Sequence, residues 1–176
     1  VEELARVARI PVINGLTDLL HPCQVMADLQ TIAEKCELKD AVIAYLGDGN
    51  NMANSLILGA SVLGLELRLA TPASHRPTLH LRRRADELAA ASGAKISWSE
   101  DPVEAVRGAN FIYTDTWTSM GQEDERELRK KIFQPYQLNA ELLGRSEDAY
   151  AMHCLPAHRG EEITDEVLDG DRSLAL

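Results

Sequence analysis

Residues 41–64 read AVIAYLGDGNNMANSLILGASVLG, and they decide the fold class. Residues 41–46 form an unbroken apolar run of strand length. Gly47-Asp48-Gly49 is turn chemistry. Asn50 or Asn51 suits the N-cap of a helix that runs to Leu63, and Gly64 is placed to close it. A strand with no polar face, a short Gly-rich turn and a helix make half of a βαβ unit, and such a strand needs cover on both sides.

The same alternation extends in both directions. Upstream, Val12-Ile13 reads as a short strand. Residues 21–36 read as a helix, with Pro22 in its first turn and Val25, Met26, Leu29, Ile32, Ala33 and Cys36 at helical spacing. Downstream, residues 66–70, 95–98, 110–114, 149–153 and 173–176 read as strands. Residues 77–92, 102–107, 124–133, 138–143 and 164–168 read as helices between them. The prediction is one α/β domain across residues 1–176: a doubly wound, mostly parallel sheet with helices on both faces, Rossmann-like.

Composition bounds the function. The 176 residues carry a net charge of −10, with 45% hydrophobic and 26% charged residues, as in ordinary globular domains. An acidic chain is a poor nucleic-acid binder, and the one basic run, Arg82-Arg83-Arg84, reads as a solvated helix face. Cys23, Cys36 and Cys154 are odd in number and widely spaced, which is neither a disulfide framework nor a zinc pattern and suits a reducing compartment. No apolar run approaches the ~18 residues of a membrane span.

The unusual polar clusters all follow predicted strands, where ligands bind in open α/β sheets. In His21-Pro22-Cys23-Gln24, an imidazole and a carboxamide at a helix N-terminus suit a polarised carbonyl; a plain helix cap is the alternative. Gly47-Asp48-Gly49-Asn50-Asn51-Met52 fits a dinucleotide loop poorly. Met52 stands where G-x-G-x-x-G needs glycine, and Glu66 opens the next strand rather than ending it. Paired Asn residues at a helix start suit a carboxylate, or simply cap the helix. Asp115, before Thr116-Trp117-Thr118-Ser119-Met120-Gly121, suits an ammonium group, or an Asx-type turn. Cys154 beside His153 suggests a nucleophile, but neighbours on a strand point to opposite faces, so His153 is badly placed to activate it. A buried inert thiol and a thiolate beside a substrate amine both remain open for Cys154.

Taken in order, His-Pro-Cys-Gln, Gly-Asp-Gly-Asn-Asn, Asp-Thr-Trp-Thr-Ser-Met-Gly and His-Cys-Leu-Pro resemble the signature of the ornithine carbamoyltransferases, from about Val12 to the end of the chain. The resemblance implies transfer of a carbamoyl group from carbamoyl phosphate to the δ-amine of L-ornithine, with no metal or organic cofactor. It implies that His21 and Gln24 contact the carbamoyl group, and that Cys154 and Leu155 lie beside it and the δ-amine. Asn51, Asp115, Ser119 and Met120 would hold the α-amino and α-carboxylate groups of ornithine. Cys154 and His21 are the catalytic candidates. It further implies a cytoplasmic homotrimer. The family's Ser-Thr-Arg-Thr-Arg and Glu-Asn-Arg segments do not occur in these residues. A chain truncated at both ends, without its carbamoyl-phosphate domain, is therefore expected. Arg159 is the nearest basic residue after Cys154 for a phosphate.

Overall fold

Alternate residues of the central strand β1 (Val42–Leu46) belong to two different cores, and the architecture follows from that. Ile43 and Tyr45 sit in one apolar cluster, Ala44 and Leu46 in the other, all four fully buried. A strand sends successive side chains to opposite faces, so both faces of the sheet are covered. The computed structural model describes residues 1–118, 121 and 123–175.

The sheet has five parallel strands in the order β3-β2-β1-β4-β5, with β2 at Glu66–Ala70, β3 at Lys95–Ser99, β4 at Phe111–Thr114 and β5 at Tyr150–His153. On one face, α2 (Pro22–Ala33), α3 (Asn51–Leu63) and α4 (Leu79–Ser92) pack side by side. On the other lie α5 (Pro102–Val106), α6 (Arg126–Phe133), α7 (Ala140–Leu143) and α8 (Asp165–Leu168). The predicted doubly wound parallel sheet is the observed fold.

α3 is the pivot, because its buried residues cover three directions: sheet, α2 and α4. Its Gly59 lets α2 close in; a Cβ there would lie 2.9 Å from Val25 Cγ1. α2 answers with a buried stripe of Val25, Leu29 and Ile32. Each such side chain contributes roughly 1.5–3 kcal/mol when fully buried.

Two expectations change. Residues 12–13 form no strand, and Ile13 is 81% exposed. Two β-branched residues cannot make a strand without a neighbour to pair with, and the sheet ends at β3 and β5. The predicted strand at 173–176 is reduced to a single bridge, Ser173 to Ala151, and Leu176 lies outside the described residues. A short helix, α1 (Glu2–Val7), buries none of its residues. Among the described residues no helix is long and apolar enough to cross a membrane.

Candidate functional site

Strand order reverses between β1 and β4, whose last residues Leu46 and Thr114 are register partners. The loops beyond them leave in different directions and open a crevice, the place where such sheets bind ligands. A cleft of about 390 Å³ lies there. Its walls include His21, Asn51, Asp115, Cys154 and Leu155, so the four clusters that are distant in sequence converge.

The convergence is built by hydrogen bonds from α3. Asn50 caps the helix, its Oδ1 accepting from the N–H groups of Met52 and Ala53, while its Nδ2 donates to Asp115 Oδ2 at 2.7 Å. Asn51 Nδ2 donates to Thr17 O (2.7 Å), Asn54 Nδ2 donates to Leu19 O (3.1 Å), and His21 N–H donates to Ser55 Oγ (2.6 Å). These bonds tie residues 17–21 to the first two turns of α3 and hold His21 at the cleft. Of the two Asn residues, then, Asn50 is the cap and Asn51 faces the cleft.

The Gly-rich turn is not a phosphate cradle. Gly49 N–H donates to His75 O at 2.9 Å, and a Cβ on Gly49 would meet that oxygen at 2.4 Å. Its glycine serves loop-on-loop packing, which removes the physical basis of a dinucleotide reading.

Asp115 is 7% exposed and richly partnered. Its Oδ1 accepts from Thr116 N–H (2.7 Å) and from the Cys154 thiol (2.9 Å), opposite the Asn50 bond to Oδ2. Burial, and then the Asp115 carboxylate, push the Cys154 thiol far above its ordinary range. Cys154 is therefore a protonated donor in this state, not a thiolate. His153 is turned elsewhere: its ring is bonded to Leu155 N–H and faces Glu162.

Below this site lie residues that sequence reasoning missed. Arg129 pairs with Asp48 and donates to Trp117 O at 2.5 Å, clamping the β1 and β4 loops together. Burial raises the Asp48 carboxyl, and Arg129 opposes that rise. Asp28, one turn below Gln24, accepts from Gln24 Nε2 at 3.0 Å and is buried. Burial lifts its carboxyl to about 6, offset in part by Gln24 and by the Tyr113 hydroxyl. A signal for Asp28 existed, since it falls within the apolar stripe of Val25, Leu29 and Ile32. None marked Arg129, which looks like any charged residue on a polar helix.

The remaining expected residues divide as follows. Gln24 is held by Asp28 and is not part of the cleft wall. Ser119 and Met120 lie outside the described residues. Arg159 is drawn away to Asp165 and Asp169, at 2.6–2.8 Å. The arginine that does line the cleft is Arg126, and it is paired with Glu161 at 2.5 Å. The run at 82–84 is mostly solvated, with Arg82 5.0 Å above the Trp98 ring. His158, Glu161 and Glu162 bring possible metal-ligand atoms within 4.8 Å of one another, but Arg126 and Lys130 already neutralise Glu161.

Comparison with known proteins agrees with this geometry. The sequence family described as aspartate/ornithine carbamoyltransferase, Asp/Orn binding domain, matches residues 39–176, and the companion carbamoyl-P binding domain matches residues 1–34. The ornithine carbamoyltransferase of Archaeoglobus fulgidus is 53% identical across 100% of this chain, and that of Gloeobacter violaceus is 53% identical across 98%. The solved ornithine carbamoyltransferase from Pyrococcus furiosus superposes with a TM-score of 0.93 at 48% identity, over 99% of this chain and 56% of that one. The anabolic enzyme from Campylobacter jejuni gives 0.92 at 39% identity, over 96% and 56%. The chain spans 57% of the length of the A. fulgidus relative and 56% of the G. violaceus one. With the fold, the switch-point cleft and both family domains in agreement, the chain belongs to the aspartate/ornithine carbamoyltransferase family.

Proposed function

We propose that this chain supplies the amino-acid wall of an ornithine carbamoyltransferase site, in which the δ-amine of L-ornithine attacks carbamoyl phosphate to give L-citrulline and phosphate. The observation that carries the reading is Asp115: a buried carboxylate at the switch point, facing a cleft and held by Asn50, Thr116 and Cys154. A fixed, buried carboxylate facing a cleft favours an ammonium group over a neutral ligand. Asn51, Ser119 and Met120 are proposed to hold the rest of the amino-acid end.

The amine needs deprotonation, since an amine of the Lys type has a pKa near ~10.4. The same two groups bear on that step. Burial first, and then the Asp115 carboxylate, keep the Cys154 proton on sulfur, so the thiol is no base in this state. The δ-ammonium therefore gives its proton to water in the cleft before the amine attacks, with the thiol as a polar contact beside it. Cys154 acts with no covalent intermediate, because an amine nucleophile needs no acyl-enzyme. His21, at the α2 N-terminus, addresses the carbamoyl oxygen, and Gln24, whose Nε2 is held by Asp28 outside the present cleft wall, keeps its Oε1 for the carbamoyl nitrogen.

We propose that residues 1–176 work as one unit with α2 included, because α2 packs on α3 and supplies Val25, Leu29 and Ile32 to the core. Val1, Leu4, Val7, Ile10, Ile13, Leu16 and Leu19 are exposed, and the rest of a carbamoyl-phosphate domain is proposed to cover them. The whole protein is proposed to be a cytoplasmic homotrimer. The test is citrulline formation by the full-length protein from ornithine and carbamoyl phosphate, with aspartate as the competing acceptor. Ornithine binding without turnover would replace the transferase with an amino-acid-binding module.

A further inference from the structure

We propose that His153 and Glu162 are positioning residues: a buried imidazole–carboxylate pair that sets the loop presenting Cys154 and Leu155 to the cleft. Both side chains are fully buried, His153 at the end of β5 and Glu162 on the return of the same loop. The His153 tautomer is fixed by its partners. Its Nδ1 accepts from Leu155 N–H at 2.8 Å, so that nitrogen carries no proton. The ring proton is then on Nε2, 3.2 Å from Glu162 Oε1. The same Oε1 accepts from His158 N–H at 2.5 Å. Two acceptors, His153 Nδ1 and Glu162 Oε1, thus fix the backbone at residues 155 and 158.

Between those anchors the chain cannot hold itself. Leu155 stands at φ 52°, in the left-handed region that a branched residue seldom occupies without outside support. It is 40% exposed, so packing does little to keep it there. Yet Leu155, Pro156 and His158 all line the cleft, and Cys154 meets Asp115 from the same loop. The hydrogen bond from Leu155 N–H to the imidazole is the restraint available, and Glu162 keeps the imidazole in the tautomer that accepts it. His158 Nδ1 is 3.8 Å from Glu162, too far for a hydrogen bond, so the pair works through His153 and the backbone.

The kinetic consequence rests on the carbamoyl-transfer reading; the tautomer does not. In the full-length protein, Glu162→Gln keeps an oxygen for both N–H donors, whereas Glu162→Leu removes it. Loss of that oxygen is expected to raise KM for ornithine ~10-fold or more, with KM for carbamoyl phosphate changed less than ~3-fold, while the Gln variant stays within ~3-fold on both. A purely structural role would move both constants together or neither, and either result overturns the proposal. If the Leu variant does not fold, nitrogen-15 NMR of the unmutated, histidine-labelled protein at pH 7.5 decides. His153 should be the Nε2–H tautomer, and an Nδ1–H tautomer would overturn the pair's role. Absence of any citrulline formation would sink the transferase reading while leaving that tautomer measurement intact.

Discussion

On one wall of the cleft Asp115 accepts three hydrogen bonds, from Asn50, Thr116 and Cys154. On the other, His21 Nδ1 is buried with no hydrogen-bond partner, and the residues leading to it expose Ile10, Ile13, Leu16 and Leu19. The amino-acid wall is organised by bonds inside this chain. The wall at the α2 N-terminus has its backbone fixed, through Ser55, but its side chains await partners. Preorganised polar groups accelerate a reaction because nothing has to reorient when charge develops. On the proposed function, this chain therefore carries the amino-acid half of the site already organised and the carbamoyl half only as a framework.

The largest effect to expect is the gap between this chain and the full-length protein. The 176-residue chain should fold, since each face of its sheet has its own buried apolar cluster. It should form citrulline ~1,000-fold more slowly than the full-length protein, or not detectably, even at high carbamoyl phosphate. Phosphate recognition relies on arginine forks, and the arginine lining the cleft among the described residues, Arg126, is already paired with Glu161. Comparable turnover by the two proteins would erase the distinction between the walls.

Next in size is Asp115→Asn in the full-length protein. The change keeps the side chain's size but removes the charge, and it turns an NH₂ toward either Asn50 Nδ2 or the Cys154 thiol. Removing one partner of a desolvated pair costs roughly 2–5 kcal/mol, so ornithine affinity should fall ~30-fold at least. Affinity for carbamoyl phosphate should change little. Equal losses for both ligands would mean that the two walls are not separate recognition units.

The fold was legible because β1 and α3 obey local rules: an apolar strand, turn glycines and an Asn cap. The cleft was legible because three of its four clusters follow strands; the His21 cluster joins them although the strand expected at 12–13 is absent. Asn51, Asp115, Cys154, Leu155 and His21 line it together. What stayed hidden depends on pairs distant in sequence. Arg129 and Asp48 are 81 residues apart, and nothing local to either announces the other. Residues 12–13 misled for the complementary reason, since strand propensity says nothing about whether a neighbouring strand exists. Arg159 was plausible by proximity to Cys154, but two carboxylates six and ten residues further along the chain claimed it.

A chemical difference separates the cysteines. Cys23 is exposed and Cys154 is held protonated by burial and by Asp115, so alkylation at pH 8 should label Cys23 first and Cys154 ~100-fold more slowly. Intact-protein mass spectrometry during turnover should show no carbamoyl adduct on Cys154. Rapid labelling of Cys154 would mean that the finished wall holds a thiolate after all.

The finest test sets two carboxylates against each other. Asp115 has donors on both oxygens, whereas Asp28, beneath the His21 wall, is hydrogen-bonded by Gln24 on Oδ1 and has only the weaker help of the Tyr113 hydroxyl besides. Burial raises Asp28 from its ordinary 3.8 to about 6. A raised carboxyl pKa means the folded state binds that proton more tightly than the unfolded chain does. Its contribution to stability is therefore greatest below pH 4, declines as pH rises from about 4 to about 6, and stays low above that. The shift corresponds to on the order of 2–3 kcal/mol. Asp28→Asn removes the ionisable group and keeps an acceptor for Gln24. It should thus stabilise the domain at pH 7.5 relative to the unmutated protein, with most of that advantage gone at pH 4. Urea midpoints of both proteins at the two pH values give the answer as a difference of differences, in which the other titrating groups cancel. An advantage that is the same at both pH values would show that Asp28 is as well compensated as Asp115, and that the wall beneath His21 is more complete than its hydrogen bonds indicate.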